Sequence, residues 1–136
     1  YSSAASDVYK RQLQTLLTTV ETKQWGDLGT AGGDFLATAT NYYIKAYETT
    51  APHLGGCGLH DPLAVAVAAD PSLVDTLAIN LKVDTDGETR GRTIGDETCL
   101  NDPVKSARVA VGVDVDRFLE EFMRRLTGLA RETPVV

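Results

Sequence analysis

Apolar positions in the first part of the chain recur with helical spacing. Leu13, Leu16, Leu17 and Val20 fall at i, i+3, i+4 and i+7, which predicts a helix over 13–24. The glycines of 26–34 predict a loop, and Asp34 is placed to cap a second helix running to about Thr49. Its expected buried stripe is Phe35, Leu36, Ala39, Tyr42, Tyr43, Ala46 and Tyr47. A turn-rich segment with Gly55, Gly56 and Gly58 follows. Asp61 and Pro62 then read as N-cap and first residue of a third helix. Its body, LAVAVAA, is apolar on nearly every side and predicts deep burial, and Asp70-Pro71 predicts its end.

Beyond Ser72 the spacing changes. LAINLKV (77–83) alternates loosely as a strand does, DTDG (84–87) is a turn signal, and ETRGRTI (88–94) can return as a second strand. SARVAVGVDV (106–115) is valine-rich and the clearest strand. Asp114 or Asp116 opens a last helix whose buried face is Phe118, Leu119, Phe122, Leu126 and Leu129. The pattern predicts an α/β fold with about three strands and flanking helices. So few apolar strands suggest the last part of a larger sheet covered by helices.

The 136 residues suit one domain, and 43% apolar content supplies a core. The formal charge of −6 argues against a nucleic acid polymer or an anionic membrane surface as partner. No apolar run reaches membrane-spanning length. Two cysteines, Cys57 and Cys99, make neither a disulfide framework nor a zinc ligand set and fit a reducing, cytoplasmic setting. Residue 1 is tyrosine, and residues 1–12 (YSSAASDVYKRQ) have little apolar content. They are expected to be a disordered or artefactual tail, with 13–131 as the folded unit and 132–136 as a second tail.

Chemistry concentrates at His60-Asp61. A carboxylate at a helix start is favoured by the free N–H groups and the helix dipole, and it can also take part in binding a hard cation. A histidine beside it has the right intrinsic range to deliver a proton near neutrality. Capping plus a structural histidine remains the plainer explanation of the pair. Tyr43 and Tyr47 share a helical face, the spacing of core aromatics but also of rings set against a base or sugar. Asp84 and Asp86, and Asp114 and Asp116, have simple turn or cap explanations. No phosphate loop, nucleophile elbow or activated thiol is present.

Three stretches, TNYYIKAYETT…GGCGLHDPLAVAVAADPSLV, LKVDTDGETRGRTIGD and NDPVKSARVAVGVDVDRFLEEF, resemble the inosine-uridine preferring nucleoside hydrolases. The resemblance runs from about residue 13 to 130 and is placed in the C-terminal portion of that family. It implies a fragment of a Rossmann-like fold and hydrolysis of the N-glycosidic bond of ribonucleosides to ribose and free base. It further implies Ca2+ as cofactor with Asp61 as a ligand, His60 as the group that protonates the leaving base, and Tyr43 and Tyr47 as substrate-binding residues. A homo-dimer or homo-tetramer is the assembly it implies. The family's D-x-D-x-x-x-D-D cluster does not occur in the sequence. The expectation is therefore a catalytic set that is incomplete in this chain, silent alone and part of a longer or complemented enzyme. The alternatives are a split protein and a non-catalytic α/β interaction module that retains the packing.

Overall fold

The computed structural model describes residues 14–132. The tail assigned to 1–12 lies outside that range, as do Leu13 and residues 133–136. Four α-helices are present among the described residues: α1 (Thr19–Gly26), α2 (Ala31–Thr50), α3 (His60–Ala69) and α4 (Val115–Glu132). Six strands accompany them: β1 (Leu16–Leu17), β2 (Cys57–Gly58), β3 (Val74–Ile79), β4 (Leu81–Val83), β5 (Thr93–Gly95) and β6 (Ala107–Val113).

The expectation of about three strands from a Rossmann-like fragment is therefore corrected. The six strands form three two-stranded sheets, β1–β2, β3–β6 and β4–β5, and every pair is antiparallel. LAINLKV is not one strand. Asn80 breaks it: its side chain donates to the Cys99 carbonyl at 2.9 Å and accepts from the Ser106 N–H at 2.7 Å. A buried amide with partners on another segment turns the chain from one sheet into the next. The two-residue pair β1–β2 had no period long enough to show in the pattern.

The helix starts differ in a similar way. Leu16 and Leu17 belong to β1, and the helix begins after Thr18. Thr18 and Glu21 form a capping box: the threonine side chain accepts from Val20 N–H, and Glu21 accepts from Thr18 N–H at 2.8 Å. α2 is capped by Thr30, which accepts from Gly33 N–H at 3.1 Å, and Asp34 sits in its first turn. At α4, Asp114 accepts from Arg117 N–H at 3.2 Å, as the sequence suggested.

The core gathers Leu17, Trp25, Ile44, Leu63, Leu73 and Phe118, with Phe122 and Leu126 packed against it. Phe118 stacks on Phe122 at 5.8 Å between centroids, and Trp25 meets Phe122 edge-on at 6.3 Å. The Trp25 indole N–H donates to the Thr127 hydroxyl at 3.1 Å, and Thr30 donates to the Ala130 carbonyl. These bonds tie α1 and the start of α2 to α4. Burial of each such side chain contributes about 1.5–3 kcal/mol. Burial expected for several other side chains is not found. Phe35, Tyr42, Val65 and Leu129 are exposed, so α2 and α3 each contribute a narrow stripe to the core.

Candidate active site

The C-terminal half of α2 carries Tyr43 and Tyr47 one turn apart, with ring centroids at 5.1 Å in an edge-on arrangement. After α2 the chain turns through Pro52–Leu54 and Gly55, whose φ of 67° suits glycine, and enters β2. β2 is held against β1, and the Leu59 N–H donates to the Thr15 carbonyl at 2.9 Å. α3 begins immediately, so His60 emerges from a fixed backbone beside the end of α2.

The result is a chain of three polar side chains. The Tyr47 hydroxyl lies 2.6 Å from His60 Nε2, and the Tyr43 hydroxyl donates to the Tyr47 oxygen at 3.5 Å. A phenol can serve either state of the ring. It donates to a neutral Nε2, and it accepts from Nε2–H when the ring is protonated. Burial, followed by the hydrogen bond from Tyr43, pushes Tyr47 up to about 12, while the Gly58 backbone N–H works against that rise. Tyr47 therefore keeps its proton throughout the physiological range.

His60 and Tyr43 line a cavity of about 350 Å³ together with Asp61. Trp25, Leu36 and Phe122 form much of its apolar wall. Mostly apolar surroundings with a few converging polar groups suit a flat heterocycle. Cys57 lines the same space, and burial pushes its thiol up, which keeps it an unreactive neutral group.

Three of the residues picked from the sequence, Tyr43, Tyr47 and His60, are thus brought into one cluster, and Asp61 stands beside it on the cavity rim. The local reading of Asp61 is corrected. It is not the N-cap of α3; Leu59 holds that position, and no side-chain cap hydrogen bond forms there. Asp61 lies in the first helical turn, where the dipole still favours its negative charge. Trp25 and Phe122 were not singled out as site residues. Phe122 was recognisable only as core, and the single tryptophan sits on a segment whose helical register was displaced.

Among the described residues, no group of three or more histidine, cysteine, aspartate or glutamate side chains could hold a metal ion. No helix among them is long and apolar enough to cross a membrane.

Comparison with known proteins agrees with this picture. Residues 4–120 match the family described as inosine-uridine preferring nucleoside hydrolase. An inosine-uridine preferring nucleoside hydrolase of Leishmania major is 30% identical over 106 residues, covering 77% of this chain and 33% of that protein. A pyrimidine-specific ribonucleoside hydrolase of Shigella boydii is 27% identical over 107 residues, covering 78% and 34%. The solved structure of a purine-preferring ribonucleoside hydrolase from Gardnerella vaginalis is 73% identical with a TM-score of 0.85, covering 88% of this chain and 38% of that one. The chain spans about a third of the length of the curated relatives it matches. The match is not confined to a C-terminal portion, as the sequence had suggested. It begins at residue 4 and extends over nearly the whole chain. The chain belongs to the inosine-uridine preferring nucleoside hydrolase family.

Proposed function

We propose that the protein hydrolyses the N-glycosidic bond of ribonucleosides, releasing ribose and a free base. The observation that carries this reading is the 2.6 Å contact between the Tyr47 hydroxyl and His60 Nε2 beside an apolar cavity. As the bond to C1′ breaks, its electron pair moves onto the base, and the sugar gains oxocarbenium character. Protonation of a ring nitrogen then makes the base a far better leaving group, and water adds at C1′ and releases a proton to solvent, from which the proton given to the base is replaced. His60 lines the cavity and supplies the proton to the base, and the Tyr47 hydroxyl on Nε2 holds the imidazole in place. Tyr43 supports the phenol oxygen, and the rings of Tyr43, Trp25 and Phe122 offer surface for the base.

The 73% identity to a purine-preferring enzyme supports a purine ribonucleoside such as inosine as the better substrate. Calcium belongs to the proposal through the family resemblance, with Asp61 as a ligand from this chain. A calcium ion takes six to eight oxygens, and Asp61 is the only carboxylate among the residues lining the cavity. The described residues do not form that shell, so no step here runs through the ion. The family's dimeric or tetrameric assembly and a cytoplasmic location are likewise part of the proposal. The net charge of −6 supports a small-molecule substrate over a nucleic acid polymer.

The test is chromatography of inosine and uridine incubated with the purified protein and calcium. Base and ribose should appear in equal amounts, faster from inosine. Absence of release from both nucleosides would overturn the reading.

A further inference from the structure

The segment GGCG (55–58) contains three glycines that answer to three different demands. Gly55 adopts a left-handed conformation, with φ at 67°. At Gly56 an added Cβ would stand 2.5 Å from the Leu17 carbonyl oxygen, so that glycine lets two backbones approach. Gly58 needs neither. Its φ lies outside the left-handed region, and no backbone atom is among the nearest atoms a Cβ would meet. The nearest atoms all belong to the His60 imidazole: Nε2 at 2.8 Å, Cε1 at 3.0 Å and Cδ2 at 3.4 Å.

We propose that Gly58 is a positioning residue for His60, and that its missing side chain is the space in which the imidazole lies to reach the Tyr47 hydroxyl. The backbone at 58 is the less movable partner. It pairs with Leu16 across β1–β2, and the next residue is anchored to the Thr15 carbonyl. The histidine ring can turn about two side-chain bonds. A methyl group at 58 therefore displaces the ring, and the ring leaves the 2.6 Å contact with Tyr47. The catalytic meaning of this placement rests on the proposed hydrolysis, but the contact itself does not.

The test is nuclear magnetic resonance of the His60 ring in the purified chain, without substrate. Gly58→Ala should move the His60 ring nitrogen signals toward those of Tyr47→Phe, in which the bond is removed from the other side. Unchanged His60 signals in a folded Gly58→Ala protein would overturn the proposal. Thermal unfolding of the single variants and of the double variant Gly58→Ala/His60→Ala supplies the second measurement. Removing the ring opens the space, so the loss of melting temperature caused by alanine at 58 should largely vanish in the His60→Ala background. If Gly58→Ala does not fold, the double variant should. An equal loss in both backgrounds, or failure of the double variant to fold, would place the constraint in the backbone and overturn the assignment. Neither measurement requires turnover, so a protein with no hydrolase activity could still pass both.

Discussion

The contact between Tyr47 and His60 sets what a single residue does here. Tyr47 binds its proton more tightly in the folded protein, with its pKa raised from 10.0 to about 12. The linked stability is complete below the unfolded value and is lost as pH rises from about 10 through about 12. Denaturant unfolding at several pH values should therefore show the wild type losing its advantage over Tyr47→Phe across that window. A constant difference between the two proteins would contradict the shift. Asp61 is tested by calcium titration calorimetry. Removing a ligand should cost at least the roughly 10–100-fold lost when outer-shell partners of metals are changed. Unchanged affinity in Asp61→Asn would remove it from the ligand set. At this scale LHDP and the tyrosine spacing were legible, because four side chains carry unusual chemistry close in sequence. The space above Gly58 was not legible, because it depends on where the His60 ring lies in three dimensions.

Elements are fixed here by caps and by single interrupting side chains more than by long periods. The apolar spacing of Leu16, Leu17 and Val20 fits a helix, yet the leucines pair as a strand and the helix waits for Thr18 and Glu21. T-x-x-E was present in the sequence at 18–21, and its reciprocal bonds outweigh the weak period before it. Thr18→Ala should lower stability by about 1 kcal/mol, measured by denaturant unfolding, with the loss of helix ellipticity confined to a small fraction of the signal. No measurable loss would mean that pairing of β1 alone sets where α1 begins. The long helices and β6 were legible because their patterns persist over many residues. The break at Asn80 was not, since its partners lie 19 and 26 positions away.

For the molecule as a whole, the short pair β1–β2 matters more than its size suggests. It carries the chain from the end of α2 directly into the start of α3, which brings residues 43, 47 and 60 into one cluster. The bond from Trp25 to Thr127 of α4 fixes the tryptophan that lines the other side of the cavity. A pattern of helices and strands could suggest an α/β class, but three separate antiparallel pairs follow from contacts between distant segments. In the proposed hydrolysis this arrangement holds His60, the proton donor, against the cavity. The most direct measurement is kcat of wild type and His60→Ala on inosine and on a ribonucleoside analogue with a nitrophenyl leaving group. Loss of a positioned acid should cost about 10²–10⁴-fold on inosine. The activated leaving group departs without a proton and should be nearly unaffected. Equal losses on the two substrates, or none on inosine, would contradict protonation of the leaving base through His60.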